Sequence, residues 1–150
     1  MRVYIGMPIS NHRDYDPQQM FKQVAELVRS HGLEPISPMD FMNPEIWPRL
    51  LEQMNFREAC KQLVQSDLSL LKQSDAIIAI MARASIGTSM ELLYARLWGK
   101  TTVLVTGYQN LYHPWLWYHS DKVIYSEDLF GDGVTRACIW LNEHRAPPNG

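Results

Sequence analysis

The chain has little of what marks a nucleic-acid-binding or membrane protein. Its formal net charge is −2, and its 150 residues contain no run of lysine or arginine. Without a basic patch, binding to nucleic-acid polymers or to anionic membrane surfaces is not expected. No apolar run approaches the roughly 20 residues that cross a bilayer, and the N-terminus, MRVYIGMPIS, has no signal-peptide core. These absences predict a soluble cytoplasmic protein.

Motifs for metals and common cofactors are also missing. The two cysteines, Cys60 and Cys138, form no CxxC pair, and the five histidines have no HExxH-like spacing. Both cysteines fall on apolar helical stripes, so both are expected to be reduced core residues. No GxGxxG follows the first strand, and there is no Walker lysine. The sequence therefore predicts an activity without a metal, a nicotinamide or ATP.

Apolar runs alternate with helical patterns along the chain. Five runs are typical of strands, namely RVYIG, LEPIS, AIIAIM, TTVLV and KVIY. AIIAIM lacks polar alternation, as expected for a central parallel strand covered on both faces, and the proline in LEPIS favours a position near an edge. The pattern predicts a doubly wound five-stranded parallel sheet, Rossmann-like or flavodoxin-like, with helices on both faces. Residues 1–145 form one predicted domain, and residues 146–150 a frayed tail.

Two loops are expected to meet at the binding edge of this sheet. In doubly wound sheets, ligands bind beyond the carboxyl ends of the strands, where the winding direction reverses. If RVYIG and AIIAIM flank that point, the loops MPISNHR and ARASIGT face each other there. The longest irregular segment, PMDFMNPEIWPRLLEQ, is a candidate lid or substrate wall.

Glu91 lies near the start of the predicted helix in SIGTSMELLYARLWGK. Gly87 permits a tight turn before it, and the N–H groups at a helix start can hold an anion. Spacing alone leaves two interpretations: a solvated acid that favours the helix N-terminus electrostatically, or a carboxylate that does chemistry. Tyr4 favours the second, because it lies on the first strand and can reach across towards that turn.

Asp67 occupies one position of an otherwise apolar helical stripe. The apolar members of that stripe are Phe56, Cys60, Leu63, Val64 and Leu71. An ionised carboxylate is costly in such surroundings unless it has a partner. One interpretation is a structural acid that caps a loop or pairs with an arginine. The other is a carboxyl held protonated, which gives a proton or a hydrogen bond to a substrate.

These segments together resemble the nucleoside 2-deoxyribosyltransferase superfamily. That superfamily includes 2′-deoxynucleoside 5′-phosphate N-hydrolases and CMP N-glycosidases. VYIGMPIS resembles its first strand and loop, SDLSLLKQSDAIIAI its helix-to-strand block, and SIGTSMELLYARLWGK its S-x-G-x-G-x-E-L-G-x-A block. The resemblance runs in separated blocks from Tyr4 to about Ile124. Ser89 and Leu93 depart from it, because the family often has glycine at both places.

The resemblance implies catalytic roles for three residues. Glu91 matches the nucleophile, which attacks the anomeric carbon and forms a glycosyl-enzyme ester. Tyr4 matches the tyrosine that orients this nucleophile. Asp67 matches an acidic residue that protonates, or hydrogen-bonds to, the departing side.

The resemblance also implies a substrate pocket and a partner subunit. Ser85 stands at the place of a phosphate-contacting serine in the nucleotide hydrolases, whereas transferases acting on free nucleosides tend to carry an acid there. Ser10, Asn11 and Arg13 are expected to complete the pocket with Gly87. HPWLWYHSDKVI resembles the segment that reaches into a neighbouring subunit's site, which places His113 near the residue donated in trans. Tryptophan and tyrosine are favoured at protein interfaces, so a homo-oligomer, at least a dimer, is expected.

Several functions remain open at this stage. The favoured one is an N-glycosidase acting on a nucleoside 5′-monophosphate, and the alternative is a transferase that exchanges bases between free deoxynucleosides. A non-catalytic nucleotide sensor and a flavodoxin-like redox protein are rival classes. Contacts to the base are expected from the segment between Phe41 and Trp47.

Overall fold

The computed structural model describes residues 1–8, 16–38 and 45–144. The strands are Arg2–Gly6 (β1), Glu34–Ile36 (β2), Ala76–Met81 (β3), Thr101–Thr106 (β4) and Lys122–Tyr125 (β5). The helices found in these ranges are Pro17–Ser30 (α1), Ile46–Gln53 (α2), Phe56–Lys72 (α3), Ile86–Leu97 (α4), Pro114–Tyr118 (α5) and Val134–Glu143 (α6). No helix in the described part of the chain has the length and apolar character needed to cross a membrane.

The five strands form one parallel sheet in the order β2-β1-β3-β4-β5. The predicted doubly wound sheet is confirmed, and its strand order is the flavodoxin-like one. From β1 the chain moves outward to β2, then returns past β1 to β3 and continues in the opposite direction. The winding direction therefore reverses between β1 and β3, where Tyr4 pairs with Ile77 and Gly6 with Ala79.

The core lies on both faces of the sheet. Every residue of β3 is buried, which matches the uninterrupted apolar run of its sequence. Helices α1 and α6 cover one face. Their buried side chains are Val24, Val28, Val134, Ala137, Cys138 and Leu141. Helices α3 and α4 cover the other face. Their buried side chains there are Leu71, Leu92 and Ala95.

Glycines in the left-handed conformation end two of the helices. Gly32 follows α1 with φ of +72°, and Gly99 follows α4 with φ of +68°. A side chain at either position would strain the backbone, so each glycine allows the chain to leave its helix and enter the next strand.

Two segments for which no helix was predicted contain short helices. The second half of PMDFMNPEIWPRLLEQ forms α2, where Pro48 is tolerated because it lies in the first turn and Leu50 is buried. Residues 39–44 of that segment lie outside the described ranges. In the segment HPWLWYHSDKVI, Pro114 takes the first position of α5. Proline in both sequences obscured short helices whose first turns accommodate it.

The prediction that both cysteines belong to the core holds fully only for Cys138. Cys138 is buried on α6, and burial raises the pKa of its thiol to about 11. Cys60 is only partly buried, because the buried side of α3 is the side that carries Ala59 and Leu71. The same orientation leaves Phe56 and Val64 of the predicted apolar stripe exposed.

Candidate active site

Strand β1 and helix α4 bring the predicted tyrosine and glutamate together. Tyr4 is fully buried and packs in the core beneath α4 with Ile77 and Leu92. Glu91 lies in the second turn of α4 and is partly buried. The Tyr4 hydroxyl donates a hydrogen bond of 2.7 Å to Glu91 Oε1. The interpretation of Glu91 as a solvated first-turn acid is therefore wrong.

Gly6 makes room for the Glu91 carboxylate. Tyr4 and Gly6 are two residues apart on β1, so they face the same side of the sheet. A β-carbon added to Gly6 would lie 2.9 Å from Glu91 Oε2 and 3.4 Å from a methyl carbon of Thr88. The sequence marked Gly6 only as a strand end. Its alternation with Tyr4 was the available signal that it shares the tyrosine's face.

Ser85 begins α4 as its N-cap. Its side-chain oxygen accepts a hydrogen bond from the Thr88 backbone N–H at 3.3 Å, and its hydroxyl donates to Thr88 Oγ1 at 3.1 Å. Gly87 is exposed in the first turn, and nothing approaches within 4 Å of where its β-carbon would be. Ser85 therefore has a structural task at the helix start in addition to the substrate contact expected of it.

Asp67 is partly buried on α3, the helix that packs beside α4. Its catalytic role stays a prediction. Asp75, eight residues further along the chain, lies at the opposite edge of the sheet, where its carboxylate accepts a hydrogen bond of 2.6 Å from the backbone N–H of Arg2. Asp75 thus joins the starts of β1 and β3.

His113 is exposed and caps α5 without a side-chain hydrogen bond to the helix backbone. An aromatic surface surrounds it. The exposed side chains of this surface are Tyr108, Tyr112, Trp115, Trp117 and Tyr118. Tyr112 and Trp115 are 73% and 70% exposed, which is unusual for side chains of this size.

Three predicted pocket residues, Ser10, Asn11 and Arg13, lie outside the described residues, as does most of the expected base-contacting segment from Phe41. Trp47, at the end of that segment, lies on α2 and packs edge-on against Phe56.

An open groove of about 730 Å³ lies along α3, lined by residues from Met54 to Leu70. Neither Tyr4 nor Glu91 lines it. A groove on one helix surface lacks the convergent groups that a reacting bond needs. The candidate site is therefore the contact between Tyr4 and Glu91, at the point where the winding reverses.

A family model described as nucleoside 2-deoxyribosyltransferase matches residues 3–133. The chain belongs to the nucleoside 2-deoxyribosyltransferase family. The match includes Tyr4, Asp67 and Glu91, and it confirms the resemblance seen in the sequence. Family membership identifies the protein as an enzyme of nucleoside or nucleotide glycosyl transfer or hydrolysis. It also decides against the flavodoxin-like redox alternative.

Solved structures with the same fold include proteins of both kinds. A CMP N-glycosidase of Clostridium botulinum aligns with a TM-score of 0.60 at 17% identity, covering 94% of this chain and 100% of its own. A 2-deoxyribosyltransferase of Bacillus psychrosaccharolyticus aligns with a TM-score of 0.50 at 22% identity, covering 70% of this chain and 72% of its own. A conserved protein of Enterococcus faecalis V583 aligns with a TM-score of 0.58 at 14% identity, covering 91% of this chain and 98% of its own. A comparison with curated protein sequences gives no match. At these identities the structures share the fold alone.

Proposed function

We propose that this enzyme cleaves the N-glycosidic bond of a nucleoside 5′-monophosphate through a covalent intermediate on Glu91. The observation that carries the proposal is the 2.7 Å hydrogen bond from the buried Tyr4 hydroxyl to Glu91. A tyrosine fixed in a packed sheet holds the carboxylate in one orientation, which is what an attacking group requires.

The proposed reaction has two displacements. In the first, a Glu91 oxygen forms an ester bond to the anomeric carbon while the bond from that carbon to the base nitrogen breaks, and the electron pair leaves with the base. In the second, water adds to the anomeric carbon and the ester bond breaks, which regenerates the carboxylate and releases the sugar phosphate. The Tyr4 hydrogen bond keeps Glu91 aligned in both steps.

Asp67 is proposed to supply the proton that the departing base takes up. Its partly buried position on α3, beside the helix that carries Glu91, supports this role. Two carboxyl groups in different surroundings suit the reaction, because one must be ionised to attack and the other protonated to assist departure. Water entering the second step returns a proton to Asp67.

A 5′-phosphate on the substrate is supported by the start of α4. Ser85 carries no charge, and the N–H groups of the first helical turn favour an anion beside the exposed Gly87. A transferase that moves deoxyribose between free bases would use the same Glu91 ester, but it would start from an unphosphorylated nucleoside, and a second base would replace water in the second step. The family contains this activity, so base exchange is the alternative outcome of the test.

A homo-oligomer is proposed to complete the site. The aromatic surface around His113 is exposed in the single chain, and side chains of this kind are enriched at protein interfaces. In this proposal the surface packs against a second copy and His113 reaches the neighbour's substrate. Location in the cytoplasm and the domain limits of 1–145 stay predictions from the sequence.

The test is a panel of nucleoside 5′-monophosphates and free deoxynucleosides, each incubated with and without an acceptor base. Free base from monophosphates supports hydrolysis, whereas base exchange on deoxynucleosides supports transfer. The Glu91→Gln variant keeps an oxygen for the Tyr4 hydrogen bond, so it should fold normally and lose activity by on the order of 10³-fold or more.

Mass spectrometry of the quenched reaction provides a direct check. The wild-type peptide containing Glu91 should gain the mass of the sugar phosphate less one water, as an ester bond requires, and the Glu91→Gln peptide should not. Turnover by Glu91→Gln at the wild-type rate would contradict the mechanism. If the folded wild-type protein binds nucleotides but releases no base from any of them, the sensor interpretation replaces the enzymatic one.

A further inference from the structure

Arg83 is a cationic residue at the binding edge that sequence reasoning did not single out. It lies in the loop between β3 and α4, beyond the carboxyl end of the central strand. Its Nη2 atom is buried and has no hydrogen-bond partner within residues 1–8, 16–38 and 45–144. A guanidinium is always charged in proteins, so a buried nitrogen without an acceptor is unfavourable.

Three arginines form ion pairs, which Arg83 does not do in the described ranges. Arg2, Arg96 and Arg136 each pair with a carboxylate, and their side chains are 42%, 46% and 52% exposed. Arg83 is partly buried as a residue, and in the described ranges it pairs with no carboxylate. Burial makes an acceptor more necessary, because water no longer replaces it. Arg83 therefore combines a buried guanidinium nitrogen with the lack of a carboxylate partner in residues 1–8, 16–38 and 45–144.

Arg83 lies near the start of the helix that carries Glu91, so an anion bound to Arg83 can belong to the substrate. Arg83 precedes the N-cap Ser85 by two residues, and the space around Gly87 in the first turn is open. Gly87 and Glu91 lie four residues apart on α4, so they share one side of the helix about 6 Å apart along its axis. In a sugar 5′-phosphate, the phosphate is likewise separated from the anomeric carbon by the width of the ring. One substrate can therefore engage both places.

We propose that Arg83 binds the substrate's 5′-phosphate and so determines the preference for nucleotides over nucleosides. The inference rests on the proposed function and adds the charged group that the helix start lacks. The Ser85 side chain already makes two hydrogen bonds to Thr88, and a nearby cation would balance the charge of the phosphate. A guanidinium suits this role because it donates two parallel N–H bonds to phosphate oxygens. A free nucleoside would leave Nη2 unpaired and bind less well.

The test compares Arg83→Gln with Arg29→Gln. Arg29 is an exposed residue in the last turn of α1, so its replacement makes the same charge change far from the site. For Arg83→Gln, kcat/KM with a nucleoside 5′-monophosphate should fall roughly ten- to a hundredfold, mainly through KM. With the matching nucleoside, kcat/KM should be unchanged. Arg29→Gln should behave as wild type with both. An equal loss with nucleotide and nucleoside would overturn the proposal.

Direct binding separates this inference from the proposed function. Calorimetry with ribose 5-phosphate and with inorganic phosphate requires no turnover, so it tests Arg83 even if no nucleotide is cleaved. Wild type should bind ribose 5-phosphate at least tenfold more tightly than Arg83→Gln. Equal affinities, or no binding to wild type, would refute the role of Arg83 and leave the chemistry of Glu91 to its own test.

A second variant covers the case in which Arg83→Gln fails to fold. Arg83→Lys keeps the charge but loses the paired N–H geometry, so it should show a smaller loss confined to phosphorylated ligands. If Arg83 only supports its loop, Arg83→Lys will lower the melting temperature and weaken both ligand types equally. That result would also overturn the proposal.

Discussion

The Tyr4 hydroxyl and the Glu91 carboxylate form a hydrogen bond of 2.7 Å across 87 residues of sequence. One residue comes from the third position of an inner strand of the sheet and the other from the second turn of a helix above it. The contact exists because α4 packs over β1 and β3 through Leu92 and Ala95. Packing of the core therefore fixes the geometry of the proposed nucleophile.

Replacing Tyr4 with Phe tests this contact. The ring still fills its buried place, so the melting temperature should change little. Loss of a hydrogen bond to a charged group should lower kcat roughly ten- to a hundredfold, with a smaller effect on KM. Steady-state kinetics with a nucleoside 5′-monophosphate provide the measurement. An unchanged kcat would show that Glu91 needs no support from Tyr4.

Gly6→Ala should impair activity with little loss of stability. Its β-carbon would meet Glu91 Oε2 at 2.9 Å, and that oxygen lies at the end of a flexible side chain, so the carboxylate moves instead of the backbone. Misplacement of an attacking group by even 1 Å can cost about a hundredfold in rate. A kinetic assay beside a thermal melt separates the two effects. Gly107→Ala is the control, because nothing lies within 4 Å of its added β-carbon.

Ser85→Asp should reduce phosphate binding without weakening α4. Aspartate caps helices about as well as serine, so the melting temperature should be preserved. Its added negative charge should raise KM for a nucleoside 5′-monophosphate on the order of tenfold or more and leave the matching nucleoside unaffected. Ser85→Ala is the paired variant: it should lower stability by about 1 kcal/mol through loss of the cap and add no repulsion. Equal KM values for Ser85→Asp and wild type would place the phosphate elsewhere.

Mixing two inactive variants tests whether His113 acts in a neighbouring subunit. Glu91→Gln and His113→Ala should each have little activity as separate homo-oligomers. After the subunits are exchanged, some sites will combine an intact Glu91 from one chain with an intact His113 from the other. Activity should then reappear, because donation in trans restores those sites. If His113 acts within its own chain, no mixture will regain activity.

The two cysteines should react at very different rates with a thiol reagent. Burial raises the pKa of Cys138 to about 11, so at about pH 8 its thiol is protonated as well as inaccessible. Cys60 is only partly buried. Mass spectrometry after brief alkylation should therefore find one modified site in the folded protein and two in denaturant. Rapid labelling of Cys138 in the native protein would contradict its burial.

Elements that leave a clear local pattern in the sequence, such as an apolar run or a glycine after a helix, were predictable. The run AIIAIM matches β3 residue for residue because a strand buried on both faces has no polar positions. Gly32 and Gly99 mark helix ends because only glycine adopts those dihedral angles without strain. The pairing of Tyr4 with Glu91 was also predicted, since a strand and the helix that packs on it must face each other.

Other features depend on contacts that no periodic pattern encodes. Gly6 matters only through the distance from its missing side chain to Glu91. Arg83 lies in a loop, where burial of a single nitrogen has no counterpart in the spacing of residues. The exposure of Val64 depends on how α3 is rotated against the sheet, which an amphipathic pattern alone does not determine.

Because Tyr4 is buried, the thermal inactivation of the enzyme should depend on the unfolding of its whole domain. The Tyr4 hydroxyl is carried by an inner strand and has no exposed surface, so it can change position only when the sheet itself opens. Such opening requires nearly the full free energy of global unfolding. Inactivation on warming should consequently coincide with cooperative melting. An enzyme whose orienting group sat on a loop would lose turnover at lower temperatures, while still folded.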